Sequence, residues 1–184
     1  FSLALDRFIS NKSVTRNAII GCTIALAGCL IIGWGDFQIS GQSLFGDVLA
    51  FLAGGIIALY FFLGEKVRQE TSAITYSVLS YLISAMVLLA YITLIGNAFI
   101  GYTAATWQAF FGLAIISTIG GQFVFNLLLK NLPASAVTMA ILGEPIGTCI
   151  LAYIILNEAI SLQQFLGMTV IMIGMAIYFY KHNR

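Results

Sequence analysis

The stretch Ala134–Leu156 reads ASAVTMAILGEPIGTCILAYIIL, twenty-three residues with a single charge, Glu144, near the middle. As an α-helix rising 1.5 Å per residue it is about 35 Å long, enough to cross a hydrocarbon core of about 30 Å. It is too long for a barrel strand, and its apolar residues do not alternate. The stretch is therefore read as a membrane-spanning helix. Its acid and its Pro145 are the exceptions to explain.

Five further stretches of the same kind surround it: Asn17–Gly35, Gly46–Gly64, Ile74–Gly96, Thr106–Leu129 and Leu162–Tyr180. They hold no charged residue except Asp47 at an edge. The expected fold is all-α, a polytopic membrane bundle with six transmembrane helices. Composition agrees: 60% of the residues are hydrophobic and 8% charged, and the mean hydropathy is +1.01, far from a domain with a wet surface. A net charge of +1 gives neither the basicity of a nucleic-acid binder nor a solvating acidic tail.

The cations fall in alternate gaps. Arg7, Lys12 and Arg16 precede the first long run, Lys66 and Arg68 follow the second, Lys130 the fourth, and Lys181 and Arg184 the sixth. The gaps at Phe37–Phe45, Asn97–Ala105 and Asn157–Ser161 hold no Lys or Arg. Since cytoplasmic loops carry the Lys/Arg excess, the cation-bearing side is read as cytoplasmic, with the C-terminus inside.

Phe1–Leu5 reads as the end of an earlier apolar run, and no initiator Met precedes it, so the chain is expected to be part of a longer one. Cys22, Cys29 and Cys149 all lie within spans. They read as small buried hydrophobes and not as a disulfide framework or a metal site.

An internal repeat is visible. Leu5-Asp6-Arg7-Phe8-Ile9-Ser10 and Leu156-Asn157-Glu158-Ala159-Ile160-Ser161 share L-x-x-x-I-S. Gly21-Cys22-Thr23 with Gly28 matches Gly167-Met168-Thr169 with Gly174, 146 residues on, with five extra residues before it in the first copy. Five spans fit within that offset, and an odd number inverts the second copy. Inverted repeats typify secondary transporters, whose solute site lies near the midplane between the repeats.

Leu142-Gly143-Glu144-Pro145, the Leu156–Ser161 segment, and Gln164-Phe165-Leu166-Gly167 with Gly174 resemble the C-terminal signature of EamA-like carriers of the drug/metabolite transporter superfamily. Gly46-Asp47, Leu49–Ala53 and Ala58-Leu59-Tyr60 are similar to the start of that family's second repeat. The resemblance covers nearly the whole chain. It implies ten helices in two inverted repeats of five, of which six lie here. Residues 1–36 are then the end of the first repeat, a cytoplasmic loop and its last helix, and residues 46–184 the second repeat. The missing N-terminal half becomes a partner. Asp6-Arg7 stands where the second copy has Asn157-Glu158, so no functional role is carried over there.

Glu144 is the first candidate for solute binding. An ionised carboxylate at the midplane costs about 2.5–3.5 kcal/mol on insertion scales, so the group is expected to face a wet cavity or the bundle interior. There a neutral, proton-carrying carboxyl is the cheaper form; the competing reading is a structural acid joining helices. Pro145 lacks an N–H, which strips the Ile141 carbonyl of its helical partner and predicts a break. Gly143 and Gly147 flank that break, either as a flexible point or as a close-packing face. Thr148, one turn after Glu144, shares its face and is a candidate partner for the acid or a solute.

Thr118, Gln122 and Asn126 recur every four residues and predict a polar stripe on the fourth span. Its functional reading is a cavity wall, with Gln122 favoured over Asn126 near the cytoplasmic end; the alternative is interhelical hydrogen bonding. Ser77, Tyr81 and Ser84 form a similar stripe, read as hydroxyls bonded within their own helix. Gly46, Ala50, Gly54 and Ala58 predict a packing seam. Tyr60 is a further solute-binding candidate, and Trp107 is read as an interfacial anchor.

There is no H-E-x-x-H, Cys/His cluster, G-x-S-x-G or phosphate loop, and His182 is the lone histidine. No catalytic residue, metal or cofactor is expected, and the chain is not read as an enzyme. No Lys or Arg lies within a span to grip a phosphate. The reading is a secondary transporter moving small metabolites or drug-like solutes by alternating access across a bacterial-type inner membrane. Proton coupling is the option that Glu144 opens. The alternative is a non-catalytic membrane scaffold or assembly subunit. Expected partners are a small-molecule solute and the lipid bilayer, with no nucleic acid; a homodimer is left open.

Overall fold

The computed structural model describes residues 1–34, 41–96 and 100–180, without the side chains of 41–44. Its elements are α1 (Ser2–Phe8), α2 (Arg16–Gly33), α3 (Gly41–Val67), α4 (Ala73–Ile95), α5 (Ala104–Gly112), a π-helix (Leu113–Gln122), α6 (Phe123–Leu128), α7 (Ala134–Ile141), α8 (Glu144–Leu156) and α9 (Leu162–Phe179). Among the described residues there is no strand. The six expected spans are present, each long and apolar enough to cross a membrane. Most of the gap at Phe37–Phe45, part of that at Asn97–Ala105, and Lys181, His182 and Arg184 fall outside the described residues or side chains.

Local chemistry fixes the helix ends. The side chains of Thr15, Ser72, Thr103 and Ser161 accept from the main-chain N–H three residues on, covering donors that have no partner inside the helix. Ser161 and Gln164 do so reciprocally as a capping box. Gly96 (φ 77°) and Asn157 (φ 55°) close α4 and α8 in the left-handed region.

The chain forms two compact units, Phe1–Phe62 with the segment from Ala134 onward, and Leu63–Pro133. In the first, the dominant contact is α2 against α9. Both helices have eighteen residues, and they begin and end 146 positions apart. The N-caps Thr15 and Ser161 keep that offset. So do Asn11 and Asn157, the described non-glycine residues with positive φ (51° and 55°). The contact is reciprocal: Gly21 faces Gly174 and Gly28 faces Gly167, while Ala25 touches Gly174 and its counterpart Ile171 touches Gly28. Residue i meets j′ and j meets i′, as a two-fold relation requires. The register runs in opposite directions, so the helices are antiparallel. Glycine permits this approach: a Cβ on Gly28 or Gly167 would lie 2.8 or 2.9 Å from the other's carbonyl oxygen. Also in this unit, α1 packs on α7 and α8 touches α9.

The expected seam on α3 is filled over part of its length. Gly54 lies against the Phe1 ring and Ala58 is buried, but nothing lies within 4 Å of a Cβ built on Gly46. The Phe1 ring also meets Phe51 edge-on, with centroids 4.9 Å apart.

In the second unit α4 packs on α6, and Gly64 fits under the Tyr76 hydroxyl and Leu129. Between α5 and α6 the chain is π-wound: Phe123 N–H donates to Thr118 O, and the Thr118 hydroxyl to Leu113 O at 3.5 Å. The polar stripe expected on this span assumed an α period. Bonds from i to i+5 widen the turn, so Thr118 and Gln122 are still separated by about one turn, now of the wider helix.

Candidate functional site

The Leu142–Pro145 segment interrupts the fifth span as the proline predicts. α7 ends at Ile141 and α8 begins at Glu144. Across the gap the main chain tightens to three-residue bonds: Leu142 N–H to Met139 O (3.2 Å), Gly143 N–H to Ala140 O (3.0 Å) and Ile146 N–H to Gly143 O (3.0 Å). Both two-fold-related helices buttress the break. The Cys29 thiol of α2 points to Leu142 O at 3.9 Å. On α9, Met175, 146 residues after Cys29, brings its sulfur to 3.2 Å from where a Gly143 Cβ would stand. Gly143 therefore serves close packing, whereas Gly147 is exposed with nothing within 4 Å. The two glycines do not form one packing face.

Glu144 sits in the first turn of α8, beyond the N-cap Gly143, with Pro145 following. Its side chain is exposed. A half-helix N-terminus carries roughly half a positive charge, and an acid there offsets it. The Thr148 hydroxyl donates to the main-chain oxygen of Glu144 at 3.0 Å, so in this conformation it bonds its own helix and not the carboxyl. Tyr60, on α3 in the same unit, is half-buried with its ring edge-on to Phe61 at 5.3 Å.

In the second unit, Gln122 ends the π-helix half-buried. Asn126 is 0% exposed, and its amide donates to the Ser77 hydroxyl at 2.9 Å. Ser77 thus bridges helices where its own helix was expected to take it. The Tyr81 hydroxyl likewise reaches Thr118 O at 3.4 Å.

Sequence reasoning counted Arg68 only as a cytoplasmic cation. It is 3% exposed, donating from Nε to Asn126 O at 2.9 Å and from its terminal nitrogen to Thr71 O. Asn126 O lies in the last turn of α6, where carbonyls have no helical partner; that shortage was the available signal. Trp107 meets Phe110 and Tyr102 with centroids 5.8 and 6.5 Å apart, near the start of α5. Among the described residues no group of three His, Cys, Asp or Glu is placed to hold a metal.

Comparison with known proteins agrees with this architecture. The chain is 24% identical over 173 residues to the "Uncharacterized transporter YwfM" of Bacillus subtilis (strain 168), covering 94% of the chain and 58% of that protein. It is 26% identical over 143 residues to an "Uncharacterized transporter" of Archaeoglobus fulgidus, covering 76% of the chain and 50% of that protein. The chain thus spans about half the length of these curated relatives. No solved structure gives a significant match. The EamA-like transporter family model matches residues 44–180, and the chain belongs to that family.

Proposed function

We propose that the chain forms the larger part of a secondary carrier that moves small amphipathic metabolites or drug-like solutes by alternating access. In this reading residues 1–36 complete one repeat, residues 46–184 form the other, and α2 and α9 are their equivalent last helices. The carrier sits in a bacterial-type inner membrane with its cation-rich face and C-terminus cytoplasmic. The observation that carries the reading is the broken fifth span, whose outer half-helix begins with an acid. Broken helices near the midplane are where such carriers bind solute and coupling ion.

Glu144 is the proposed solute and proton contact, with Thr148 and Tyr60 as further contacts in its unit. Gln122 is proposed as a solute contact of the second unit, and Asn126, tied to Ser77, as the residue behind it. A carboxylate at the helix N-terminus occupies the place that an anionic solute would seek. Within the spans Lys and Arg stand only at the ends, as Arg16 and Lys66 do, and none lies near the middle to replace it. The solute class favoured is therefore one bearing an amine, such as an amino acid or an amphipathic amine.

The same position of Glu144 supports the scaffold alternative, because the helix end satisfies the acid without any solute. Uptake by the full-length carrier in proteoliposomes separates the readings. Saturable uptake of an amine-bearing solute is expected. No flux above protein-free vesicles across amines, amino acids and phosphorylated solutes would sink the carrier reading, and preference for the phosphorylated ones would overturn the solute class.

A further inference from the structure

We propose that Asp6 and Lys12 form a latch at the cation-bearing end of the carrier, holding α1 on α7 and α9 in this conformation and releasing it in the other. The proposal rests on the alternating-access reading above.

Asp6 lies in the last turn of α1 and is 3% exposed. Its Oδ1 has no hydrogen-bond partner among the described residues. What faces it is the Lys12 ammonium, 3.5 Å away on a side chain 40% exposed. Lys12 is brought there by the chain reversing at Asn11 (φ 51°), and its main-chain N–H donates to Asp6 O at 3.0 Å. Ser135 of α7 and Tyr178 of α9, both buried, lie close enough to interact, and Tyr178 is within electrostatic reach of Asp6. One carboxylate thus sits where α1, the following loop, α7 and α9 meet.

The energetics suit a contact that must open. A carboxylate buried without a full set of hydrogen bonds carries a desolvation cost that its ion pair only partly offsets. Separating α1 from α7 loses packing but returns Asp6 to water, so the two effects oppose and the closed and open states lie close in free energy. A bistable contact of this kind is what a switching element needs. In the reading above, α1 belongs to one repeat and α7 and α9 to the other, so this contact has to break when the carrier opens on that face. The device is one-sided: at the 146-residue offset that relates α2 to α9, the places of Asp6 and Lys12 are held by Ala152 and Glu158, which cannot form such a pair.

The test uses the full-length carrier with Cys22, Cys29 and Cys149 replaced and a reporter cysteine at Ala136 on α7, 1% exposed here. An impermeant maleimide is applied from the Lys12 side of membrane vesicles. Lys12→Gln, which alters the exposed end and leaves the core intact, and Asp6→Asn should each speed labelling by about fivefold or more, the lower end of what conformational coupling delivers. Lys12→Arg, which keeps the pair, should label like the parent. Unchanged labelling in Lys12→Gln and Asp6→Asn overturns the latch. Equal acceleration in Lys12→Arg overturns it too, since that reports loosened packing and not a lost pair. Labelling needs no solute, so it stands or falls separately from the flux assay.

Discussion

Gly21 and Gly174 lie so close that a Cβ on either would come within 2.6 Å of the other's carbonyl oxygen. Neither backbone can yield without moving a helix. Gly21→Ala or Gly174→Ala in the full-length carrier should therefore destabilise it by about 1–3 kcal/mol, the usual range for overpacking. Gly147→Ala, with open space around it, should be neutral or gain up to about 1 kcal/mol from helix propensity. Reversible unfolding in detergent micelles ranks the three. Equal effects at Gly174 and Gly147 would contradict the reciprocal contact.

Arg68 and Asn126 should differ in what they hold. Arg68→Ala leaves two main-chain carbonyls without their charged donor and should cost about 1.5–3 kcal/mol. Asn126→Ala removes one interhelical hydrogen bond to Ser77, typically about 0.6 kcal/mol in a membrane. The same unfolding assay measures both. If Asn126→Ala instead abolishes uptake at unchanged stability, the amide is a solute contact and not a support.

Glu144→Gln keeps shape and most hydrogen bonding but removes ionisation. The variant should insert and fold normally yet lose the dependence of uptake on an imposed pH gradient. Proteoliposome uptake with and without the gradient is the measurement. An unchanged response would remove Glu144 from proton coupling and leave a carrier driven otherwise.

Single cysteines at Lys130 and at Glu158, both exposed and at opposite ends of the fifth span, should react with an impermeant thiol reagent from opposite sides of the membrane. Glu158 should label from outside intact cells, following the cation bias. Labelling of both from one face would reject the six-span topology.

Much of the fold was legible because a membrane makes length and hydropathy decisive. The six runs needed only their apolar content, and Pro145 announced the break because a missing N–H leaves no choice. The glycines at 21, 28, 167 and 174 disclosed a repeat but not that its two copies touch. That depends on which helix faces the seam turns toward. Arg68 looked like a solvated cation because nothing in its neighbours' letters says that orphan carbonyls of Asn126 and Thr71 lie within its reach. The stripe through Thr118, Gln122 and Asn126 was legible as a spacing, but the π winding of Leu113–Gln122 was not, because it depends on i→i+5 bonds that the letters do not announce. For Glu144 the sequence supplied the residue and its helix end, while its exposure depends on what packs around it in space.

The π-wound turns bear on how the carrier meets its lipid. Ala104–Leu128 has 25 residues, which as pure α-helix would measure about 38 Å against a hydrocarbon thickness of about 30 Å. An i→i+5 turn takes in more residues per turn, so this span shortens without losing residues from its ends. Hydrophobic mismatch, which other helices relieve by tilting, would here be relieved partly by winding. A thicker bilayer favours unwinding toward α and a thinner one favours the π form, and each conversion turns Phe123–Leu128 relative to α5. On this account membrane thickness would become a quantity that the protein registers.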